Sequence, residues 1–377
     1  MAGLLRAALL TALLLVATAA QAAAPCAGWS QWQAFKTGYL SDDGRVVDGS
    51  TAQKITVSEG QAYALFFALV ANDRNAFDKI LQWTENNLAQ GDFTAHLPAW
   101  QWGRREDGSW GVLDSNPASD ADLWIGYDLA EAGRLWNVRR YRILAELIGK
   151  RILREETAAI PGLGLSLLPG PVGFTQAPGQ WRLNASYLPI QLLRGLQRDI
   201  PNARWSELIE PSIKLIEASA PQGYAADWML YEKGKGFVAD AQTQADGSYN
   251  AIRVYLWAGM LSPGDPARAG LLQRLQPMAA SIERNGAPPE HVDIRNGVAR
   301  GSGPVGFSAA SIPFLAALGQ QAAAQMQAQR LDANPPSAAT AYYSAVLSLF
   351  GGGWHRGEFR FAADGTLLPR WREACRK

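Results

Sequence analysis

The stretch Ser58–Leu88, SEGQAYALFFALVANDRNAFDKILQWTENNL, decides how the chain folds. From Ser58 to Arg74 the apolar residues fall at helical spacing, and Ser58 with Gln61 stand where a capping box would stand. A tight Asn72-Asp73-Arg74-Asn75 turn follows, and Ala76 to Leu88 reads as a second helix. Two helices joined by a tight turn form a hairpin. The unit recurs as Ser119 to Trp136 with Arg139 to Glu156, as Tyr187 to Arg198 with Ala203 to Ala218, and as Tyr249 to Met260 with Pro266 to Asn285. Two shorter copies are Phe307 to Leu318 with Gln320 to Arg330, and Ala341 to Phe350 paired with the N-terminal Trp29 to Tyr39. Six hairpins predict an all-α, closed toroid, with few convincing strands.

The units are unequal and their linkers long, so the repeat is coarse and has no fixed sequence period. In most units the first helix is the more apolar and the second the more charged, the pattern of an inner ring wrapped by an outer one. The polar exceptions on inner helices sit at their N-termini. Glu59, Asp120, Tyr187, Asn250, Ser308 and Tyr342 are therefore expected to gather at one mouth of the ring. The connections Gly91 to Pro117 and Gly162 to Leu183, rich in Gly, Pro and Trp, would build the walls of a groove there. No linker-like tract divides the chain, so residues 25–377 read as one domain.

The chain has 377 residues, 48% of them hydrophobic and 18% charged, with 35 basic against 34 acidic side chains. A net charge of +1 without a basic run argues against a nucleic-acid partner, which needs a positive footprint to neutralise phosphates. Fourteen Trp are more than a core of this size needs, so some rings should line a groove. Residues 1–24 read as a cleavable export signal: a basic start from Met1 to Arg6, an apolar run from Ala7 to Val16, and a mostly small-residue run from Ala17 to Ala24. The apolar run is too short to span a bilayer, no later stretch suggests membrane insertion, and Pro25 before Cys26 argues against a lipid anchor. Export to a periplasm is expected, with secretion as the second choice. In that oxidising setting the two cysteines, Cys26 and Cys375, are expected to form one disulfide joining the ends of the mature chain. His96, His291 and His355 are scattered without ligand spacing, which argues against a zinc site, and no metal or cofactor is expected.

A groove with aromatic walls and carboxylates at its floor suits a polysaccharide, because aromatic faces stack on sugar C–H surfaces while paired acids serve a glycosidic bond as general acid and base. Trp100, Trp102, Trp110, Tyr187 and Trp228 are the candidates for stacking; the plainer alternative makes them partly buried core rings. Glu59 stands in the first turn of an apolar helix, where the helix dipole favours its anion. To act as a general acid it must keep its proton near neutrality, which calls for burial or a neighbouring carboxylate such as Asp120. Asp120 and Asp122 also open a helix, with Ser119 as an expected cap, so helix capping is the competing explanation for all three acids.

The run Ala118-Ser119-Asp120-Ala121-Asp122-Leu123-Trp124-Ile125, followed by Glu131-Ala132-Gly133-Arg134-Leu135-Trp136, resembles the signature of glycoside hydrolase family 8. Thr56-Val57-Ser58-Glu59-Gly60-Gln61 resembles the segment that carries that family's proton donor. The likeness continues in Asn184 to Pro189, in Ser248-Tyr249-Asn250-Ala251-Ile252-Arg253-Val254-Tyr255 and in Gly303 to Ser308, and so spans nearly the whole mature chain. Within the family it is most similar to the periplasmic endoglucanases of bacterial cellulose synthase operons. The resemblance implies an (α/α)6 barrel and inverting hydrolysis of internal β-1,4-glucosidic bonds in cellulose or cello-oligosaccharides during cellulose production, with the synthase and export complex as a possible partner. It implies Glu59 as proton donor and Asp120 as the aspartate that holds and distorts the sugar at the scissile subsite. Trp102 and Tyr187 take substrate-contacting positions, and Arg253 that of an arginine steadying the base; Tyr249 and Trp228 are further candidate substrate-binding residues.

One position departs from the pattern. Where the cellulases that this chain resembles carry the Asp that activates the water, it carries Asn250, and an amide accepts no proton at neutral pH. Three explanations stand open: another carboxylate serves, with Asp246 and Asp227 as local candidates; the amide is an introduced change in an ordinary cellulase; or the chain binds β-glucan and cuts it poorly. A different β-1,4 polymer, such as chitosan or xylan, is a further alternative for the substrate.

Overall fold

A computed structural model of the protein describes residues 28–336 and 341–374; the expected export segment, Cys26 and Cys375 lie outside the described residues. In chain order the helices are α1 (Ser30–Tyr39), α2 (Ser58–Val70), α3 (Arg74–Asn87), α4 (Ser119–Leu135), α5 (Arg139–Glu155), α6 (Ile190–Asp199), α7 (Arg204–Ser219), α8 (Ala251–Met260), α9 (Arg268–Asn285), α10 (Val305–Ala317), α11 (Gln321–Ala333), α12 (Tyr342–His355) and the short α13 (Arg370–Ala374). The even-numbered helices make the inner ring. They neighbour one another in chain order, with a 3-10 turn at Ala185–Tyr187 leaning on α8, and α12 closes back onto α2. Each inner helix is backed by an outer one, with α1 behind α12. This is an (α/α)6 barrel.

The division follows from composition. Every residue of α2 except Glu59 is buried, as are all ten of α8. The outer α3 buries only a stripe, Ala76, Phe77, Ile80, Leu81, Trp83 and Thr84, and turns its charged residues to water. Aromatic rings from α2, α4, α8 and α12 fill the centre of the ring, with centroids 4.9 Å apart for Tyr63 and Phe350, 4.6 Å for Phe67 and Phe350, and 5.0 Å for Phe66 and Trp124. That plug forms the floor on which the mouth residues stand.

Inner helices approach closely where glycine permits. A Cβ at Gly351 of α12 would overlap the Ala309 carbonyl of α10, and one at Gly259 of α8 would overlap the Phe314 backbone nitrogen. Gly351→Ala adds a methyl group where two backbones already touch, so although alanine favours a helix by about 1 kcal/mol over glycine, overpacking by ~1–3 kcal/mol or more is expected to dominate. A lowered denaturation midpoint would show this; an unchanged midpoint would mean that the two helices can separate freely.

The expectation of few strands is corrected. Among the described residues the connections hold five small antiparallel sheets: β1 (Thr56–Val57), β2 (Ala99–Arg104) and β3 (Trp110–Pro117); β4 (Thr157–Ile160) and β5 (Gly164–Leu167); β6 (Thr175–Ala177), β7 (Gln180–Leu183), β8 (Met229–Glu232) and β9 (Gly236–Ala239); β10 (Asp246–Gly247), β11 (His291–Asp293) and β12 (Val298–Arg300); β13 (Phe359–Phe361) and β14 (Leu367–Pro369). Most are too short to show an alternating pattern. They are functional scaffolding all the same: Thr56 pairs with Trp102 and Val57 with Gln101, which braces the entry to α2 beside Glu59.

Two caps are corrected as well. Val57 and Ala118 are the N-caps of α2 and α4, and the hydroxyls of Ser58 and Ser119 are buried without a partner among the described residues. Gln61 instead reaches outward. Its Oε1 accepts from Val46 N at 2.6 Å and its Nε2 donates to Gly44 O at 3.1 Å and Thr84 Oγ1 at 2.9 Å, tying α2 to the preceding loop and to α3. The third inner helix begins at Ile190 and not at Tyr187, because Pro189 biases the residue before it away from helix and is itself the N-cap.

Candidate active site

Four elements deliver their first residues to one point. α2 brings Glu59 and, one turn later, Tyr63; α4 brings Asp120; the 3-10 turn brings Ser186; and the start of α8 brings Asn250 and Arg253. Arg253 is the hub. Its Nη1 contacts Glu59 Oε1 and lies 3.2 Å from Asp120 Oδ2, while also donating to the Tyr63 hydroxyl at 3.1 Å. Its Nη2 donates to Asn250 Oδ1 at 2.8 Å and to Ser186 Oγ at 3.0 Å. The Tyr63 hydroxyl in turn donates to Glu59 Oε1 at 3.0 Å.

Burial sets the electrostatics. The Asp120 and Arg253 side chains are 4% and 5% exposed, whereas Glu59, at 20%, opens to the groove. Burial pushes the Asp120 carboxyl up to about 7, against the opposing pull of the Ala121 N–H that it accepts at 2.8 Å. Burial also lowers the Arg253 guanidinium from its usual value, yet a guanidinium stays charged over any working pH. The arrangement can hold one exposed carboxyl at the mouth, one buried carboxyl beside it, and a hydrogen-bonding side chain at residue 250 on the other arm of the same guanidinium.

Asn250 is oriented by its neighbours. Arginine can only donate, so the amide oxygen faces it, and Asn184 Nδ2 donates to the same oxygen at 3.3 Å. The remaining amide atom is a nitrogen, a donor. An aspartate there would keep both bonds through one oxygen and offer a second oxygen as an acceptor.

Neither proposed substitute is free of other duties. Asp246, on β10, is bound to His291 Nδ1 at 2.6 Å and to Arg300 at 3.3 Å. Asp227 uses Oδ1 to take the backbone N–H groups of Ser248, Asn250 and Ala251 at 2.8, 3.0 and 2.7 Å, and so fixes the start of α8. Burial raises its pKa, opposed by those three bonds.

The walls are aromatic. Trp228 stacks on Phe174 at 5.9 Å with ring planes 6° apart, lies 6.1 Å from Tyr187 and carries the Arg182 guanidinium 4.0 Å above its ring. The buried Asp240 holds Arg182 in place. Tyr249 is 44% exposed at the rim, with its hydroxyl on Glu290 Oε1 at 2.8 Å. Trp102 is half-buried among its own kind, edge-on to Trp83 and stacked on Trp110, each at 5.3 Å, with Arg45 4.3 Å above it. Trp100 is partly exposed on β2, and Trp110 is 45% exposed.

Two mouth expectations are corrected. Ser308 is fully buried and bonded to Gln327 and Arg330, and Tyr342 is buried against Tyr39. The mouth residue of α12 is Tyr343, which donates to Tyr249 O at 2.6 Å and whose hydroxyl is pushed up to about 12, chiefly by burial. Reading the sequence also missed Tyr63, Ser186, Asn184 and Phe174. Tyr63 had a signal in standing one helical turn beyond Glu59, and Asn184 and Ser186 in lying within the Asn184 to Pro189 stretch that resembles the family. Among the described residues no group of three or more His, Cys, Asp or Glu side chains could hold a metal ion.

A helical barrel whose mouth joins an accessible acid, a buried acid and an aromatic-walled groove is the architecture of a glycoside hydrolase. Residues 2–357 match the model for glycosyl hydrolases family 8, and the chain belongs to that family. It is 50% identical over 371 residues to an endoglucanase of Escherichia coli K12, covering 98% of each chain. An endoglucanase of Xanthomonas axonopodis pv. citri is 48% identical, with 97% of this chain and 95% of that one covered. The crystal structure of an endo-1,4-D-glucanase from Vibrio fischeri ES114 superposes with a TM-score of 0.85 at 46% identity, covering 92% of this chain and all of that one.

Proposed function

We propose that the protein hydrolyses internal β-1,4-glucosidic bonds of glucan with inversion of configuration. The observation that carries this reading is the Arg253 fork, which gathers Glu59, Asp120 and residue 250 around one space at the groove floor. Glu59, the more open of the two acids, carries the proton that passes to the leaving glycosidic oxygen. Asp120 binds and distorts the sugar at the scissile bond. The side chain of residue 250 orients the water that enters from the opposite face; the proton this water gives up passes to solvent past the amide of Asn250 and would be taken by the carboxylate in Asn250→Asp, and no protein nucleophile is required. The likeness to the endoglucanases of E. coli and X. axonopodis and to the endo-1,4-D-glucanase of V. fischeri supports β-1,4-glucan as the substrate.

The cellular setting is part of the same proposal: the expected export segment supports a periplasmic location, and the resemblance to endoglucanases of cellulose synthase operons supports the trimming of glucan during cellulose production. Release of reducing ends from carboxymethylcellulose by the purified protein tests the activity, and its absence in both the unaltered protein and Asn250→Asp would reject it.

Asn250 favours a second reading, in which the chain retains its subsites and binds β-glucan while cutting slowly. Strong cello-oligosaccharide binding with activity that appears only in Asn250→Asp would support that form. Either way, Trp228, Tyr187 and Phe174 form a sugar-stacking wall. Trp228→Ala is expected to weaken cellopentaose binding about tenfold, or ~1.4 kcal/mol, measured by calorimetry; unaltered affinity would return that ring to a packing role.

A further inference from the structure

Among the buried acids outside this mechanism are Asp122 and Glu156. Asp122 lies in the first turn of α4, two residues beyond Asp120, and Glu156 is the C-cap of α5. Both are 0% exposed, and none of their four carboxyl oxygens takes an N–H or hydroxyl donor among the described residues. With no donor from elsewhere, the two carboxyl groups are left as each other's neighbours within hydrogen-bonding reach. Two carboxylates have no hydrogen between them to share, so one of the pair must carry a proton. The backbone enforces the meeting: Leu168 N donates to Glu156 O at 2.7 Å and Ser119 N to Pro169 O at 3.0 Å, so adjoining residues clamp the end of α5 to the start of α4.

The helices decide which acid keeps the proton. Asp122 faces the positive N-terminal end of α4, which favours its anion, while Glu156 sits at the negative C-terminal end of α5, which disfavours its own. We propose that Glu156 is a permanently protonated acid that donates its hydrogen to the Asp122 carboxylate, and that this pair is a positioning device holding the first turn of α4, and therefore Asp120, against Arg253. Burial raises both groups well above the ordinary carboxyl range, and the charged groups acting on Glu156 are all acidic: Asp122, Asp120 and Glu155. The Tyr187 hydroxyl, on the 3-10 turn, is the other titratable group within its influence.

The sign of the pH dependence follows. Glu156 is protonated in the fold but loses its proton near about pH 4.3 in the unfolded chain. The folded state therefore binds more protons above that pH, and the pair's contribution to stability falls as pH rises. Glu156→Gln supplies an N–H donor at every pH and removes that slope.

The test is thermal unfolding of the full protein, Glu156→Gln and Glu156→Ala from about pH 5 to about pH 9, with cellopentaose hydrolysis followed over the same range. The unaltered protein should lose stability relative to Glu156→Gln as pH rises. Because Glu156 keeps its proton in the fold over that range, Glu156→Gln should keep the rate and the pH profile of the unaltered protein, whereas Glu156→Ala should lose stability throughout and roughly tenfold or more in rate as Asp120 shifts. The infrared difference spectrum of the unaltered protein minus Glu156→Gln should show a protonated-carboxyl band that persists above neutrality. Parallel stability curves for the unaltered protein and Glu156→Gln, or the absence of that band from the difference spectrum, would overturn the proposal. The rate arm rests on the role proposed for Asp120; the stability and infrared arms do not, so failure of the hydrolytic reading would leave them intact.

Discussion

Glu59→Gln should lower the rate of glucan hydrolysis by about a thousandfold or more while leaving cello-oligosaccharide affinity within a few-fold of its starting value. The amide keeps the size and hydrogen-bonding capacity of the carboxyl but has no proton to give the departing glycosidic oxygen. Its oxygen can still accept from Arg253 and from the Tyr63 hydroxyl, so the side chain should stay where it is. Hydrolysis rate and binding measured on the same preparation separate the two effects. A variant that cuts at the original rate would remove Glu59 from the chemistry and leave it an ordinary acid at a helix start. A variant that loses binding and rate together would make it a substrate-holding residue.

Asn250→Asp should act in the opposite direction and raise the rate by about a hundredfold or more, the range expected for gaining a general base. The site is ready for that carboxylate: Arg253 and Asn184 already donate to the oxygen at this position, and Asp227 already fixes the backbone beneath it. The new second oxygen would replace a donor with an acceptor and could take the proton of the incoming water. If the unaltered protein is fully active and the variant gains nothing, another group takes that proton. Asp227 is then the next residue to change, since its Oδ2 takes no partner among the described residues, whereas both oxygens of Asp246 are engaged by His291 and Arg300. Asp227→Asn keeps an oxygen for the three backbone N–H groups, so a loss of rate in that variant would report basicity and not the loss of a helix cap.

The hairpins were legible because an apolar helix followed by a charged one is a strong periodic signal, and the mouth acids because they interrupt apolar runs at their start. The phase of the inner helices was not legible. α10 and α12 are apolar on nearly every side, so nothing in the sequence tells which residue of the first turn faces the groove, and Tyr342 was expected where Tyr343 stands. Ser308 was misplaced for the same reason, since a buried hydroxyl within such a helix is satisfied by an outer neighbour as readily as by the groove. Gln61 looked like a local cap because its spacing fits one, yet its partners Val46 and Thr84 lie 15 and 23 residues away, beyond any local rule. Arg253 was visible as a substrate-site residue; that it bridges both acids and residue 250 depends on four chain segments meeting.

In the proposed mechanism a proton enters the glycosidic bond from Glu59 while water enters from the opposite face beside residue 250. The most direct measurement is the anomeric form of the first products from cellopentaose, followed by proton NMR before mutarotation, with the unaltered protein and with Asn250→Asp. Inversion at a β-1,4 bond predicts α-configured reducing ends in the earliest spectra. Products that appear first as the β-anomer would require a covalent intermediate on a protein carboxylate and would rule out direct attack by water.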